Sequence, residues 1–371
     1  MTVRDIGVVV VGTGWGALTH VPSLQRTGFD IKALVGTDQE RTQRRADASG
    51  IARAMTDYQA ALGLPGVEAV IIVTPPETHA SLALTAIAHG KHVLCEKPFA
   101  TRLEDAVAML EAARAAGVVH VVGHEMRWIP HQAAMAAAIR EGSIGTPTFA
   151  TYLKCNGVVA GPDATVPDWF GRRGSFGGWL NAEVQHMIDE VRMSLGDFRS
   201  VAALETAATP HDWDATESFA VQFESTSGAI GIIQSSIGTF GPPIAVTRVA
   251  GTEGTMWATP ESEVFRIVGA GDTEKVQSDS ALDAGEELSA PPEAHGDSTL
   301  ASALARATRF SKPTQHLHTA FRGRILGLES PSGWPPLPTF ADGVANTAVH
   351  DAILRSIATR TTCTPDITQV G

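Results

Sequence analysis

Hydrophobic and polar residues are arranged differently in the first third of the chain and in the remainder. Within residues 1–123, short continuous apolar runs at 6–11, 67–73 and 118–122 alternate with segments whose apolar positions repeat at helical spacing. Continuous runs are typical of strands buried on both faces of a parallel sheet, and their alternation with helices is typical of βαβ units. The pattern predicts a doubly wound parallel sheet over residues 1–123.

From residue 124 onward, a predicted helix at 130–140 is followed by segments in which apolar and polar residues alternate one by one. A period of two predicts antiparallel strands that cover one face and leave the other open. We therefore expect residues 124–371 to form an α+β domain with a large, mostly antiparallel, open-faced sheet, which makes the overall fold class α/β. An open sheet face is also a candidate surface for oligomerisation. The alternating segments are 149–155, 219–223, 230–234, 246–250, 255–258 and 264–268, with helices expected at 103–116, 130–140 and 341–358.

Composition narrows the classes of partner. The formal net charge of −12 argues against nucleic acid and anionic membranes, because both recruit proteins through basic patches. Three cysteines without CxxC spacing exclude a disulfide scaffold and a cysteine-rich zinc site, and they fit a reducing compartment. The amino terminus leads directly into a predicted strand, and no apolar run is long enough to cross a bilayer. We therefore predict a cytoplasmic protein with no membrane or nucleic-acid partner.

A glycine-rich turn follows the first predicted strand. Residues 12–17 have the pattern G-x-G-x-x-A between that strand and an amphipathic segment. In this context the glycines permit a tight turn and a close approach of the backbone to a pyrophosphate, which would bind the free N–H groups of the helix start. The sequence therefore predicts a dinucleotide site. The candidate cofactor-binding residues in this turn are Gly12, Thr13, Gly14, Trp15 and Gly16.

The residues after the second predicted strand, 31–35, bear on which dinucleotide binds. An NAD-specific site usually places an acidic residue at this strand end, where it binds the ribose 2′-hydroxyl. Here Gly36 and Thr37 occupy that place, and Asp38 comes two residues late. The small side chains of Gly36 and Thr37 leave room for a 2′-phosphate, and a nearby arginine such as Arg41 could neutralise its charge. This arrangement favours NADP slightly. The alternatives are that the arginines form a polar helix face and that Asp38 is a helix N-cap.

The predicted strand at 67–73 also ends in polar residues. Thr74 and Pro75 follow it and would lie beside the nicotinamide ribose, and His79 opens the next helix. His79 is a candidate cofactor contact, or else a capping or packing residue.

A glutamate and a lysine follow the buried strand at 93–95. Pro98 comes directly after them, and proline keeps the preceding residue extended and cannot donate to a sheet ladder. Lys97 is therefore held on constrained backbone at the edge where open α/β sheets bind ligands, which makes Glu96 and Lys97 candidate site residues. The alternative is a solvated lysine at an ordinary turn.

One helix in the second half carries ionisable residues beside an apolar stripe. It is predicted to begin with Asn181 as N-cap and to end at Gly196, with apolar residues at helical spacing between them. His186 lies on the other side, with Glu183 and Asp189 three residues away in either direction, close enough to orient its imidazole. The alternative is a solvated helix face with a stray histidine.

Taken together, these features resemble the glucose-fructose oxidoreductase, inositol dehydrogenase and MocA family, known as Gfo/Idh/MocA. The resemblance rests on the turn at 12–14, on Glu96-Lys97-Pro98 and on the helix with Gly177-Gly178 before His186 and Asp189. It implies a Rossmann domain, a C-terminal domain with an open sheet, and a homodimer or homotetramer built on that sheet. It also implies NAD(P)-dependent interconversion of a hydroxyl and a carbonyl on a sugar or polyol. Lys97 would lie near the nicotinamide and the reacting oxygen, and His186 would be the general acid/base.

One position departs from the family pattern, which commonly has an aspartate four residues before the histidine and a glycine two residues before it. Ala182 and Val184 stand there, which leaves Lys97 and His186 as a dyad. Glu183 is the nearest carboxylate, but it lies about 100° around the helix from Ala182. Either Glu183 substitutes after a local shift, or another group orients the reactants, or the chemistry is no longer simple dehydrogenation. The candidate catalytic residues are Lys97, His186, Glu183 and Asp189.

The residues that could line a substrate pocket are defined less sharply. Arg173, with Arg172 beside it, could bind a carboxylate or phosphate in bidentate fashion, although paired arginines in loops are usually solvated. His316 and His318 have a spacing that would suit a metal in an extended strand, but no acid or cysteine accompanies them, so we predict no metal. The candidate substrate-contacting residues are Lys97, Arg127, Trp128, Trp169, Arg173 and His186.

Three functions are open at this point. The first is an NAD(P)-dependent oxidoreductase acting on a secondary alcohol of a sugar-like molecule. The second keeps the dinucleotide tightly bound and recycles it, so that transient ring oxidation drives elimination or glycoside cleavage. The third is a non-catalytic cofactor-binding protein that has lost its acid at Ala182.

Overall fold

The structure is a computed structural model that describes residues 4–14, 16–206, 211–283, 285 and 311–367. Within this part of the chain the residues pack into two compact units. The first unit runs to residue 128 and includes residues between 281 and 343, and the second contains 129–280 and the residues from 344 onward. The predicted boundary at 123/124 placed everything after it in one domain. In the structure, the helix at 311–325 belongs to the first unit instead, because it packs against the helix at 21–26.

The described residues contain nine α-helices. The helix at 103–116 ends at Gly117, whose φ of +64° is a left-handed conformation that glycine adopts readily after a helix. This helix and the one at 130–140 were predicted with the same bounds. The helices are α1 (Val21–Arg26), α2 (Gln39–Ala48), α3 (Tyr58–Leu62), α4 (His79–Ala88), α5 (Leu103–Ala116), α6 (Pro130–Arg140), α7 (Trp179–Leu195), α8 (Ser311–Ile325) and α9 (Phe340–Thr359).

The first unit is built around a six-stranded parallel sheet with the order β3-β2-β1-β4-β5-β6. All described residues of β1 and β4 are buried, as expected for strands covered on both faces. The predicted doubly wound sheet is therefore confirmed. Its strands are β1 (Ile6–Val11), β2 (Phe29–Val35), β3 (Ala54–Met55), β4 (Ala69–Ile72), β5 (His92–Cys95) and β6 (His120–Val122).

The second unit is built around an eight-stranded sheet with the order β14-β13-β12-β11-β7-β10-β9-β8. The β7–β10 pair is parallel and all other pairs are antiparallel, so the prediction of a mostly antiparallel sheet is confirmed. The expected hairpin is formed by β9 and β10. The strands are β7 (Pro147–Cys155), β8 (Phe198–Thr206), β9 (Ser218–Ser225), β10 (Ile230–Ser236), β11 (Ile244–Gly251), β12 (Gly254–Ala258), β13 (Val264–Val268) and β14 (Glu274–Val276).

The two faces of the eight-stranded sheet differ in burial. Along β9 the residues alternate, so that Phe219, Val221 and Phe223 join a core with side chains of α6, α7 and α9. On the opposite face several large apolar side chains are exposed, which confirms the predicted open face. They are Phe149, Leu204, Ile230, Ile232 and Ile244.

Two further observations concern the chain as a whole. Cys95, Cys155 and Cys363 are all free thiols. Among the described residues, no helix combines the length and apolar character that a membrane span requires.

Candidate functional site

The turn after β1 depends on glycine in a way that the structure makes explicit. Gly12 has φ +125°, and a Cβ added there would lie 2.1 Å from the carbonyl oxygen of Val73. Only glycine therefore lets the turn lie against the end of β4. Apart from its chain neighbours, no described residue has an atom within 4 Å of a Cβ added at Gly14, so this backbone faces open space within the described part of the chain. A π-helical turn at Gly16–His20 follows, while Trp15 lies outside the described residues.

The end of β2 lies against the same turn. A Cβ on Gly36 would meet the Cγ2 methyl of Thr13 at 2.6 Å. Asp38 is the N-cap of α2 and accepts a hydrogen bond from the backbone N–H of Arg41 at 2.7 Å, as one alternative predicted. The Arg41 guanidinium donates to the Thr37 hydroxyl at 3.3 Å. A hydroxyl and a guanidinium thus stand together at the strand end where the second ribose of a dinucleotide binds in this fold.

The residues after β4 are locked by their own hydrogen bonds. The hydroxyls of Thr74 and Thr78 lie 2.6 Å apart, and Thr78 also donates to the Pro75 carbonyl at 2.8 Å. The two ring nitrogens of His79 lie 2.9 Å from the Pro98 carbonyl and 2.8 Å from the Thr74 carbonyl. Burial lowers the pKa of His79. His79 therefore joins the loops after β4 and β5, and a cofactor contact by its fully buried ring is not supported.

Glu96 is buried and Lys97 half-buried at the end of β5. The Glu96 carboxylate lies 3.0 Å from Nε2 of His20 and accepts the backbone N–H of Lys97 at 3.1 Å. Burial alone would raise the pKa of Glu96, but the hydrogen bond from His20, the charge of His20 when its ring is protonated, and the charge of Lys97 lower it. A Cβ on Gly123, after β6, would meet a Glu96 carboxylate oxygen at 2.5 Å, so only glycine fits there.

The sheet edge as a whole fits a dinucleotide. Turns after β1, β2, β4 and β5 meet at the carboxyl ends of parallel strands, and open space faces the backbone of Gly14. The start of the first helical turn supplies N–H groups for a pyrophosphate. The alternative of an ordinary solvated turn does not account for the buried carboxylate of Glu96 beside Lys97. The structure thus brings the described members of the predicted cofactor set to one edge of the first sheet.

The second candidate region is α7, in the other unit. The helix begins at Trp179 with Gly178 as N-cap at φ +92°, so the prediction of Asn181 as N-cap is wrong. Asn181 lies inside the helix and donates to the Gly177 carbonyl at 2.8 Å. The predicted apolar stripe lies in the core, and its residues are Val184, Met187, Ile188, Val191 and Leu195.

The opposite side of α7 is also covered. Glu183, His186 and Asp189 are 7%, 5% and 3% exposed, so the alternative of a solvated helix face is wrong. Asp189 accepts a hydrogen bond from the Asn346 side chain of α9 at 3.3 Å, and Asn346 in turn accepts one from Arg192 at 3.0 Å. Burial of three ionisable residues on one helix is expected where they serve a site or an ion pair.

Glu183 is engaged by a lysine of the neighbouring sheet. Lys154 Nζ on β7 lies 3.6 Å from Glu183 and 3.4 Å from Glu190, and these two carboxylates are about two turns apart on α7. The Thr247 hydroxyl on β11 donates to Glu190 at 3.0 Å. Burial alone would lower the pKa of Lys154, but the charges of Glu190 and Glu183 outweigh it and raise the pKa. The carboxylate nearest in sequence to the missing aspartate is therefore bound by Lys154.

Two of the predicted substrate residues are structural instead. Trp128 is completely buried, with its ring 6.3 Å from that of Trp334, and it has no surface left for a substrate. The Arg127 guanidinium is also buried and pairs with Asp342 at 2.9 Å and with the Pro336 carbonyl at 3.0 Å. Both residues therefore join the end of the first sheet to the segment before α9 and to the first turn of that helix.

Two other candidates lie on loops of the second unit. Trp169 is 42% exposed and packs edge-on against Phe170. Arg173 forms an ion pair with Glu205 and donates through Nε to the Asp214 carbonyl at 3.3 Å. The predicted anion contact of Arg173 is thus made to a carboxylate of its own chain. Of these two candidates, Trp169 is the one whose side chain is accessible and not held in an ion pair.

The pair His316 and His318 lies on a helix, where residues two apart point in different directions. Nε2 of His316 lies 3.1 Å from the Leu282 carbonyl. Nε2 of His318 lies 3.0 Å from Nδ1 of His20. The spacing expected for an extended strand therefore does not apply. Sequence reasoning missed His20 because nothing local links it to a residue 298 positions away.

Comparison with protein families agrees with this geometry. Residues 6–124 match a model described as the oxidoreductase family GFO_IDH_MocA with an NAD-binding Rossmann fold. Residues 132–257 match the GFO/IDH/MocA C-terminal domain. The two models together span well over half of the chain.

Curated relatives match parts of the chain. The 1,5-anhydro-D-fructose reductase of Ensifer adhaerens is 35% identical over 193 residues, which are 52% of this chain and 56% of that protein. Inositol 2-dehydrogenase 3 of Saccharopolyspora erythraea is 38% identical over 162 residues, 43% of this chain and 47% of that protein. The chain thus spans about half the length of the curated relatives it matches.

Solved structures match over nearly the whole length. Levoglucosan dehydrogenase in complex with NADH and levoglucosan superimposes with a TM-score of 0.82, and 98% of this chain and 100% of that chain are covered. The sequence identity is 21%, so this similarity establishes the fold alone.

Proposed function

The chain belongs to the Gfo/Idh/MocA family of oxidoreductases, and from this premise we propose that it interconverts a secondary hydroxyl and a ketone on a sugar, polyol or glycoside-like substrate with NAD(P). The observation that carries the proposal is the position of Lys97. It follows β5 at the same sheet edge as the open Gly14 turn, and a buried carboxylate lies beside it. The names of relatives that act on anhydrofructose, inositol and levoglucosan support the substrate class.

The proposed roles follow from the chemistry of the side chains. A bound nicotinamide dinucleotide supplies the hydride acceptor or donor. The backbone N–H groups after Gly12 hold the pyrophosphate, and Thr74 and Pro75 border the nicotinamide ribose. His186 takes the hydroxyl proton during oxidation and returns it during reduction, while the Lys97 ammonium stabilises charge on the same oxygen.

Because position 182 is an alanine and not an aspartate, we propose two catalytic groups, Lys97 and His186, in place of three. Glu183 is bound by Lys154, which argues against its substitution for that aspartate. Asp189, held by Asn346, is the carboxylate that we propose to orient His186 from the next turn of α7.

Turnover assays with single variants test these roles. We expect near-ultraviolet absorbance of reduced nicotinamide to change when the protein is given NAD(P) and a panel of polyols and glycosides. Lys97→Met and His186→Ala should each lower kcat by about a hundredfold or more while cofactor binding, followed by fluorescence, stays within about threefold. Full activity in both variants would contradict the assignment.

The absent aspartate favours one second candidate, in which the dinucleotide stays bound and is recycled. Transient oxidation of a ring hydroxyl would then acidify a neighbouring C–H and drive elimination or glycoside cleavage. Dinucleotide that copurifies with the protein, together with turnover without net reduced nicotinamide, would identify this candidate. Tight cofactor binding without turnover of any substrate would indicate a non-catalytic binding protein.

The choice of dinucleotide is proposed to lean to NADP. Thr37 and Arg41 stand where an NAD-specific site usually has an acid, and Asp38 is used as a helix cap. Arg41→Ala should weaken NADPH binding by about tenfold and NADH binding by less than about twofold. Equal affinity of the unmodified protein for both nucleotides would overturn the preference.

The open sheet face is proposed to bind a second copy of the chain, in a homodimer or homotetramer in the cytoplasm. Phe149 and Ile230 pair across neighbouring strands and are both about half exposed, at 51% and 54%. Phe149→Glu with Ile230→Glu should lower the mass measured by light scattering to that of a monomer or a smaller assembly. Leu328→Glu, at an equally exposed position of the first unit, should leave the mass unchanged.

A further inference from the structure

We infer that His20 and His318 are positioning residues for Glu96, and that with Ser23 they form a buried hydrogen-bonded chain that fixes the carboxylate against the backbone of Lys97. Ser23 Oγ lies 2.8 Å from Nδ1 of His318. Nε2 of His318 lies 3.0 Å from Nδ1 of His20, and Nε2 of His20 lies 3.0 Å from Glu96. The effect of this hydrogen-bonded relay on catalysis rests on the proposed function, whereas the hydrogen bonds themselves do not.

Burial distinguishes this chain from a solvated cluster of histidines. Ser23 and His318 are 0% exposed, His20 is 1% exposed and Glu96 is 7% exposed. The end at Ser23 lies in the interior on α1 and does not reach solvent. A chain that ends inside the protein cannot exchange protons with bulk water through that end, so its role is orientation of the carboxylate at the other end.

The hydrogen-bonding capacity of the four groups fixes one arrangement when both rings are neutral. An ionised Glu96 only accepts, so Nε2 of His20 carries the proton and Nδ1 of His20 accepts. Nε2 of His318 then donates to His20, and Nδ1 of His318 accepts from the Ser23 hydroxyl. Every donor in the chain points towards the carboxylate, and each dipole strengthens the next. A neutral relay of this kind stabilises the anion without placing a second charge in the interior.

The carboxylate is held from several sides. Its second oxygen accepts the Lys97 N–H at 3.1 Å, and Gly123 leaves no space for the group to swing towards β6. The ionisable groups that act on Glu96 or are influenced by it are His20, Lys97, His79 and Cys95. Removal of the relay would leave Glu96 in an apolar setting with one fewer donor, free to rotate away from the backbone that carries Lys97.

Two substitutions of His318 separate positioning from packing. Phenylalanine keeps an aromatic ring beside Phe29 but removes the donor to His20, whereas glutamine keeps an N–H donor at the position of Nε2. In His318→Phe we expect kcat to fall by about tenfold, with KM for the nucleotide changed by less than about twofold. In His318→Gln we expect kcat within about threefold of that of the unmodified protein.

A readout that needs no turnover tests the chain itself. In the unmodified protein without nucleotide, ¹⁵N NMR of the histidine rings should show His20 and His318 as Nε2–H tautomers, assigned by comparison with the variants. In Ser23→Ala the tautomers should persist, because the donor to His20 remains. His316→Gln, on the same helix but outside the chain, serves as the control for substitution in α8.

The outcomes are distinct. An Nδ1–H tautomer at His20 in the unmodified protein would overturn the relay. Equal kcat values for His318→Phe and His318→Gln would reduce the histidines to packing residues. If no substrate is turned over by the unmodified protein, the proposed function fails, while the NMR result still decides whether the relay exists.

Discussion

The two compact units bury ionisable groups by different means. In the first unit the carboxylate of Glu96 is stabilised by a relay through His20 and His318 and by the backbone N–H of Lys97. In the second unit Glu183 and Glu190 are stabilised by the direct charge of Lys154. Directed hydrogen bonds fix the orientation of the Glu96 carboxylate, whereas the ion pairs of Glu183 and Glu190 depend on one cation.

Individual buried polar groups also differ in how completely their hydrogen-bonding capacity is used. Both ring nitrogens of His20 and of His318 have partners within 3.0 Å. In the second unit, His350 Nε2 and both side-chain polar atoms of Gln185 are buried without a hydrogen-bond partner among the described residues. Burial of a polar atom without a hydrogen-bond partner lowers the free energy of unfolding, so a proton added to His350 would place a charge where the described residues offer Nε2 no acceptor.

The largest effect is expected from Lys154→Met. The substitution leaves two carboxylates, each 9% exposed at the side chain, without their cation. Because an unpaired buried charge is strongly destabilising, the free energy of unfolding should fall by about 3 kcal/mol at neutral pH. Urea denaturation followed by tryptophan fluorescence measures this loss.

Two controls show whether the charge is responsible. Addition of Glu190→Gln to Lys154→Met should restore more than half of the lost stability, since one unpaired charge is removed. Arg199→Met breaks an exposed ion pair with Glu224 of the same sheet, 2.8 Å long, and should cost about 0.5 kcal/mol. Equal losses for Lys154→Met and Arg199→Met would show that the buried ion pairs stabilise the fold no more than an exposed ion pair does.

A pH-dependent effect of similar size at acid pH is expected from His350. Burial lowers the pKa of His350 to about 4, against about 6.5 in an unfolded chain. The folded state therefore resists protonation of His350. The contribution of the neutral ring to the free energy of unfolding is fully present above pH 6.5 and is lost as the pH falls towards 4. The total loss across that window is about 3 kcal/mol.

His350→Phe should flatten the dependence of stability on pH between 6.5 and 4. Phenylalanine preserves the edge-on ring contact with Phe176, whose centroid lies 5.3 Å from that of His350. His89→Phe, at an exposed position of the first unit, should leave the slope unchanged. An unaltered slope in His350→Phe, measured by denaturation at several pH values, would show that other groups dominate acid sensitivity.

The difference between the units also explains how far the sequence predicts the molecule. Carboxyl ends of parallel strands meet at one edge, so the glycine turn, Thr74 and Lys97 could be placed together from local patterns alone. Alternation likewise predicted the open sheet, because a strand with a period of two has one covered face. These features follow from residues that are neighbours in sequence.

Features that depend on residues far apart in sequence were not predictable in the same way. The contact of His20 with His318, and of Lys154 with Glu190, requires the packing of elements whose mutual register no local pattern specifies. Trp128 was expected at a substrate, but its ring fills the core instead. A polar stripe on a helix indicates a solvated face only when nothing packs against it, and on α7 both faces are covered.

The smallest expected effect concerns Asp38, where a local pattern had two interpretations. Asp38 caps α2 through Arg41 N–H at 2.7 Å, and Asp57 caps α3 through Ala60 N–H at 2.9 Å in the same unit. Asp38→Ala and Asp57→Ala should therefore each cost about 1 kcal/mol of stability, and Asp38→Ser should restore most of it. If Asp38 also bound the ribose, Asp38→Ala alone would weaken NADH binding in a fluorescence titration, and serine would not restore it. Equal nucleotide affinity in the two alanine variants would assign Asp38 to the helix alone, and would leave Thr37 and Arg41 as the residues that select the dinucleotide.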